Sequence, residues 1–272
     1  MHKFIAAAVQ MDTQNDKTQN MIQMAEYIDE AVSKGAQLIV FPEVVNILSE
    51  LPEHAETIPG PATELLSGKA KEHSVWIHGG SISEINPNGG RTYNTSVLVA
   101  PDGEIRAKYR KLHNFDMILP DGSSVRESDN KEPGSEIVTV QTELGTLGFA
   151  ICYDLRFPEQ FRLMRLAGAE IVFLPANFTM PTGKDHWEPL IRARAIENGV
   201  YIIAPNQIGE KEKFTAYGNS MIVDPWGAVI ARASHKPGVI LAEIDLEYLH
   251  AVRAKNPSVE NRRTDLYRID GK

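Results

Sequence analysis

The sequence predicts an α/β protein in which two sheets pack on each other within one domain, with helices outside. Three observations predict it. Two stretches rhyme: "KGAQLIVFPE" at 34–43 and "AGAEIVFLPA" at 167–176. In each, a glycine at a helix stop precedes a continuous apolar run, the pattern of a strand covered on both faces. The elements around the two stretches recur in one order. Each half also closes on a hairpin with a Pro-Asp-Gly or Pro-Trp-Gly turn, which places antiparallel strands at the margins and favours a layered pair over one doubly wound sheet.

In the first half, strand "FIAAAVQ" (4–10) precedes a helix whose apolar positions are Met21, Ile22, Met24, Ala25, Ile28 and Val32. After "LIVF" come a helix over 62–73, strand "VWIHGG" (75–80) and the hairpin "YNTSVLVA" (93–100) and "EIRAKYRK" (104–111). In the second, strand "LGFAIC" (147–152) leads to a helix from Pro158 to Leu166, then strand "EIVFLP", helix "DHWEPLIRARAIEN" (185–198) and strand "VYIIAP" (200–205). Hairpin "NSMIVD" (219–224) and "AVIARA" (228–233) follows, then a last strand "VILAEID" (239–245). Residues 112–140, rich in Asp, Ser and Pro, read as one long loop of the kind that often carries function.

Composition narrows the class. With 42% hydrophobic residues in 272 there is ample material for a core. A net charge of −8 argues against nucleic acid or an anionic membrane as the partner. A single cysteine forms no internal disulfide and no Cys-based zinc cluster. "MHKFIAAAVQMD" is too short an apolar run for a signal segment, Asp12 interrupts it, and nothing approaches the ~20 apolar residues of a spanning helix. The expectation is a soluble cytoplasmic protein with no cofactor and no metal.

Four residues stand at or beyond strand ends: Glu43 in "VFPEVVN", Lys111 in "KYRKLHNFD", Glu127 in "RESDNKEPG" and Cys152 in "GFAICYDLRFPEQ". Singly each has a plain explanation: two loop carboxylates, a surface lysine and a buried inert thiol. Amide hydrolysis, however, needs a nucleophile, a proton carrier for the leaving amine and a stabilised oxyanion, and these four side chains supply all three. None of the eight histidines stands in a papain-like signature that would pair with the cysteine.

Seven ordered blocks carry a family resemblance: "LIVFPE", "YRKLHNFD", "RESDNKEPG", "GFAICYDLRFPE", "GKDHWEPLIRARAIENGVYIIA", "YGNSMIVDPWGAVIARA" and "NRRTDLY". In order and over essentially the whole chain, they resemble the nitrilase superfamily of carbon–nitrogen hydrolases. Within it they are most similar to the Nit branch of ω-amidases and deaminated-glutathione amidases. The resemblance implies a four-layer α-β-β-α sandwich with internal pseudo-two-fold symmetry, in one carbon–nitrogen hydrolase domain over 1–272. It also implies a homodimer or larger assembly, with 250–272 as a dimer-contact tail. Glu43 is then the general base, Cys152 the nucleophile that forms a thioester, and Lys111 with the backbone N–H of Tyr153 the oxyanion site. Glu127 would orient Lys111 and the substrate amide.

For substrate binding the candidates are Arg156, Asn177 and Phe178. A guanidinium at Arg156 suits a substrate carboxylate, though an ion pair with Asp154 or Glu159 would equally occupy it. His186 and Trp187 read as capping or packing residues, Arg192 and Arg194 as structural ion-pair partners, and Asn94 and Ser96 as core hydrogen-bonders no less than functional groups. The expected partner is a small amide bearing a carboxylate. The alternatives are an N-carbamoyl amino-acid hydrolase or aliphatic amidase using the same site, and, in another class, a silent interaction protein with this fold.

Overall fold

In the computed structural model, which describes residues 3–49, 51–118, 122 and 124–270, the two rhyming stretches become equivalent strands. Leu38–Val40 lies inside one sheet and Ile171–Phe173 inside the other, all six residues buried. The glycine before each closes a helix from the left-handed region, Gly35 at φ 87° and Gly168 at φ 100°. No side chain adopts that conformation freely, so the stop signal in the sequence is a backbone requirement.

The first sheet runs Gly238–Asp245, Lys3–Gln10, Leu38–Val40, Trp76–His78, Tyr93–Val99, Ile82–Glu84, with Ile105–Arg110 also paired to Tyr93–Val99. The second runs Thr139–Thr142, Gly145–Phe149, Ile171–Phe173, Tyr201–Ala204, Met221–Val223, Val229–Arg232. Three parallel strands form the centre of each. One antiparallel strand joins their first edge and a hairpin joins their last. The shared order is the pseudo-two-fold relation.

Alternation along the strands builds the layers. Ala6, Ala8, Leu38 and Val40 enter a core shared with Leu147, Phe149, Ile171 and Phe173 of the other sheet. Their neighbours Ala7, Val9 and Ile39 face Met24, Ile28, Ala31 and Leu66 on the outer helices Lys17–Ser33 and Pro61–His73. The His78 ring crosses the sheet interface against Phe173 (4.5 Å) and Phe149 (5.6 Å). Burial alone lowers its pKa to about 3, so it packs as a neutral ring. On the far side, helices Pro158–Leu166 and Glu188–Asn198 place Phe161, Met164 and Ile191 in the same core. The result is the α-β-β-α sandwich.

Several local expectations change. The last strand crosses to the first sheet and pairs with Lys3–Gln10 from Lys3↔Asp245 to Gln10↔Gly238, covering what would be an open edge. The stretch 112–140 is not one loop. Asp116–Ile118 pairs with Ser124–Arg126, a 3-10 turn spans Glu127–Asp129, and Thr139–Thr142 edges the second sheet. Residues 119–121 and 123 of that stretch lie outside the described residues. The 250–272 tail begins inside a helix, Leu246–Lys255, whose N-cap Asp245 accepts the Tyr248 N–H at 3.1 Å; residues 271–272 lie outside the described residues. Helix "DHWEPLIRARAIEN" begins earlier than expected: Met180–Thr182 and a π-helical turn Gly183–Trp187 lead without a break into Glu188–Asn198, and Pro189 falls where the π turn gives way to the α-helix.

Candidate active site

Each of the four candidate residues sits just past a strand, and two stand at strained elbows. Glu43 follows Leu38–Val40 and is succeeded by Val44 at φ 52°. Cys152 follows Gly145–Phe149, itself at φ 48°, and opens the 3-10 turn Cys152–Arg156. A β-branched residue and a cysteine in the left-handed region are both unfavourable and need external support. Ser81 holds the first elbow, its Oγ accepting from Val44 N (3.1 Å) and its carbonyl from Val45 N (2.9 Å). Gly80 makes this possible, since a Cβ there would stand 2.0 Å from the Pro42 carbonyl oxygen. At the second elbow the Cys152 N–H donates to the Pro175 carbonyl (2.9 Å), and the Asp154 carboxylate accepts the Ile151 N–H (2.8 Å).

The elbows and the hairpin bring the four side chains into one buried cluster. Lys111 Nζ stands 3.0 Å from Glu43 Oε1 and 2.8 Å from Glu127 Oε2. Glu127 also accepts the Phe115 N–H at 2.7 Å. The Cys152 thiol is buried beside this cluster, within reach of the charges of Glu43 and Lys111. The strand that leads to Lys111 is tied down by Glu84, which accepts from Arg110, Lys108 (2.9 Å) and Thr95 (2.7 Å); although burial opposes its charge, these donors bring its pKa to about 2.

Electrostatics decide the proton inventory. Burial works against the Lys111 charge, but the adjacent Glu127 and Glu43 outweigh it and hold its pKa well above that of a free lysine. Burial likewise opposes the Glu127 charge, and Lys111 prevails, keeping it below the usual carboxylate range. For Cys152, burial and then the Glu43 charge push the thiol well up, with Lys111 only partly offsetting them. At rest the cluster therefore holds an ionised Glu127, the Lys111 ammonium and a neutral thiol. A neutral thiol becomes a nucleophile only if its proton leaves as the new bond forms, and Glu43 is the acidic side chain whose charge reaches it.

This sets an expected result. In the native protein, Cys152 alkylation by iodoacetamide shows no ionisation midpoint near the ~8.5 of a free thiol, whereas the urea-unfolded chain does. A native midpoint at or below that value would refute the raised thiol. The linkage has a definite sign: the folded state keeps its proton above the unfolded pKa. The Cys152 contribution to stability is thus constant below ~8.5 and is lost as pH rises toward the folded value.

Around the cluster, Arg156 makes no ion pair among the described residues. Asp154 is engaged elsewhere, and Arg156 Nη1 instead meets His186 Nδ1 at 3.3 Å. Its guanidinium carbon lies 5.6 Å from the Tyr153 ring centre and 5.7 Å from that of Phe178. His186 is thus not a cap but an exposed neighbour of Arg156, while Trp187 is fully buried. Arg192 and Arg194 pair with Glu188 (3.5 Å) and Glu197 (3.1 Å), as expected of structural residues. For Asn94, where both readings were open, Nδ2 donates to Glu43 (2.9 Å) and Glu127 (3.2 Å), so it joins the two acidic side chains. Asn94 Oδ1, Asn177 Oδ1 and Ser96 Oγ are buried without a hydrogen-bond partner. Among the described residues, side chains spaced to hold a cation occur at Asp29, Glu72 and His73 on the outer helices, where Lys69 already bonds both acids.

The family model for carbon–nitrogen hydrolases matches residues 5–254. The chain belongs to the carbon–nitrogen hydrolase family. It is 41% identical to the ω-amidase NIT2 of Xenopus tropicalis, over 100% of this chain and 99% of that one. It is also 41% identical to a deaminated glutathione amidase of Synechocystis, over 96% of this chain and 99% of the relative. Saccharomyces cerevisiae Nit3, a member of branch 10 of the nitrilase superfamily, superposes with a TM-score of 0.87 at 32% identity, covering 96% of this chain and 97% of that one. The αββα sandwich of this carbon–nitrogen hydrolase is thus the one its relatives share. Two site features of the hydrolase were not legible beforehand. Asn94 lies in an ordinary strand pattern, and Gln207, whose Nε2 donates to the Glu43 carbonyl (2.9 Å) and to Thr13 Oγ1 (2.7 Å), follows a strand with no motif around it.

Proposed function

We propose that the protein is a cofactor-free amidase that hydrolyses a small carboxylate-bearing ω-amide to acid and ammonia through a Cys152 thioester. One observation carries this: a single buried lysine is shared, at 3.0 and 2.8 Å, by the side chains of Glu43 and Glu127, and the charges of Lys111 and Glu43 both act on the one buried thiol. Sγ attacks the amide carbon while Glu43 takes the thiol proton. The tetrahedral oxyanion is met by Lys111 Nζ and by the Tyr153 N–H, which lies in the first turn of its 3-10 segment and so has no acceptor within it. The C–N bond then breaks and Glu43 returns the proton to departing ammonia; water deprotonated by Glu43 attacks the thioester carbonyl, the C–S bond breaks, and Glu43 passes that proton to the leaving Cys152 sulfur, restoring the neutral thiol. Glu127 orients Lys111 and the amide nitrogen, and the unpartnered Asn177 Oδ1 is a further acceptor for an amide N–H. Phe178 and Tyr153 form apolar walls. Glu43 and Lys111 are 5% and 2% exposed, which suits a small substrate.

The test is ammonia release across α-ketoglutaramate, succinamate, deaminated glutathione, N-carbamoyl amino acids and simple aliphatic amides. Acidic ω-amides should lead. Carbon dioxide released with the ammonia would instead indicate the carbamoyl hydrolase, and no turnover of any member would overturn the amidase. Arg156 is the proposed carboxylate receptor. Arg156→Leu should raise KM for acidic amides by roughly 10- to 150-fold, the worth of a charged hydrogen bond, with neutral amides little affected. An equal fall for both would make Arg156 structural.

The proposal includes a homodimer in the cytoplasm, a compartment that keeps a lone thiol reduced. In sequence, Phe161, Leu163, Met164 and Leu166 give helix Pro158–Leu166 more than one apolar face, as a dimer interface would need, but Phe161 and Met164 are in the core at 1% and 0% exposure. What the two outer helices and the neighbouring hairpin do expose is Leu166, Ile196, Trp226 and Ile230, and the Trp226–Gly227 turn abuts Ile196. Sedimentation at micromolar concentration should give a dimer, and Ile196→Asp a monomer. A monomeric wild type contradicts the pairing. Among the described residues no helix is long and apolar enough to cross a membrane.

A further inference from the structure

We infer that Asp154, with Tyr109, is a positioning residue that sets the distance between the nucleophile and the oxyanion lysine; this rests on the amidase mechanism above. The two groups come from different halves of the molecule. Cys152 leaves a strand of the second sheet and Lys111 a strand of the first. Nothing in either half alone sets their separation.

Asp154 joins them. Its side chain is fully buried, and its two oxygens take four donors. Oδ2 accepts the Ile151 N–H, next to Cys152, at 2.8 Å, and the Tyr109 hydroxyl at 2.7 Å. Oδ1 accepts the His113 N–H at 3.1 Å and lies 2.7 Å from His113 Nδ1, which must carry its proton to donate. Tyr109 and His113 stand two residues before and after Lys111, so one carboxylate grips both flanks of the lysine and the threshold of the cysteine. The grip is braced: the Tyr109 oxygen accepts from Gln160 Nε2 (2.9 Å) and Leu112 N (3.2 Å), and the His113 ring stacks on Phe157 at 3.6 Å.

The chemistry requires a carboxylate here. An asparagine amide would turn an NH₂ group toward two of the four donors and leave them without an acceptor. A glutamate would keep the charge but displace it by one methylene. Because a shift of about 1 Å in a reacting pair can cost ~100-fold in rate, a mobile Asp154 should be felt in the chemical step and not in binding.

The experiment compares wild type with Tyr109→Phe, Asp154→Asn and Asp154→Glu, below their melting temperatures. The readouts are kcat and KM for the best amide and the rate of Cys152 alkylation by iodoacetamide at neutral pH. Tyr109→Phe and Asp154→Asn should each lower kcat roughly 10- to 100-fold with KM within about threefold, and slow alkylation, and Asp154→Glu should not restore either. Folded variants with wild-type kcat and alkylation, but lower melting temperature, would make Asp154 a brace of the fold alone and overturn the inference. So would full rescue by Asp154→Glu, since charge and not position would then matter. If Asp154→Asn does not fold, Tyr109→Phe decides by the same readouts. If wild type hydrolyses no amide, the amidase proposal fails while alkylation still tests the Asp154 grip.

Discussion

Cys152→Ala should lower turnover of every amide by roughly 10⁴-fold or more, because losing the nucleophile removes the covalent route altogether. Glu43, Lys111 and Glu127 remain in such a variant, but their ion pairs only prepare a carbonyl for attack; they contain no group to attack it. The fold should persist. Cys152 is the one free cysteine, buried at an elbow held by its backbone hydrogen bond to Pro175 and by the Asp154 carboxylate, and neither uses sulfur. Mass spectrometry supplies the positive counterpart: wild type quenched in acid during turnover should carry the acyl mass on the peptide containing Cys152. Ordinary turnover by a purified alanine variant ends the nucleophile assignment.

Lys111→Met should cost turnover roughly 100- to 1,000-fold, the usual loss for one oxyanion donor in a closed site. It should also destabilise the protein by about 3–5 kcal/mol at neutral pH, since Glu43 and Glu127 would be left buried without their shared cation. The pH dependence gives a sharper check. In wild type, the depressed Glu127 contributes stability above the unfolded value of ~4.3, lost as pH falls through its folded pKa. The raised Lys111 contributes below ~10.4 and loses it as pH rises through its own folded value. Without the lysine, burial, the largest influence on Glu127, is opposed only by the Phe115 N–H and the Asn94 amide, and its pKa rises. The variant should therefore gain stability as pH falls from 7 toward 5, where wild type stays level. Urea melts at both pH values measure this. A variant with kcat within about threefold of wild type would remove Lys111 from the oxyanion site.

Much of this was legible because it is written locally. The glycine stops before "LIVF" and "IVFL" act through backbone φ, and an apolar run without alternation needs cover on both faces, so each half declares its strand–helix order. Cys152 announced itself as the sulfur at the end of such a run. Glu43, Lys111 and Glu127, by contrast, are ordinary side chains one at a time. Their spacing became informative only as an ordered set, through the family resemblance.

What stayed hidden depends on contacts between residues far apart in the chain. Whether Gly238–Asp245 closes the second sheet or the first turns on which edge is open, a property of the assembled sandwich. Phe161 and Met164 gave their helix an apolar look on several sides, but the depth of the core against the second sheet determines which sides remain exposed. Asn94 could not be separated from a core asparagine until Glu43 and Glu127 stood on either side of its amide. Asp154 looked like a partner for Arg156, two residues away; the folded chain instead gives it Tyr109 and His113, more than forty positions back. The sequence by itself determined the elements, the two-fold plan and the chemical groups of the site. Only the tertiary structure decided their protonation and alignment, because both arise from burial and from donors that the other half of the molecule supplies.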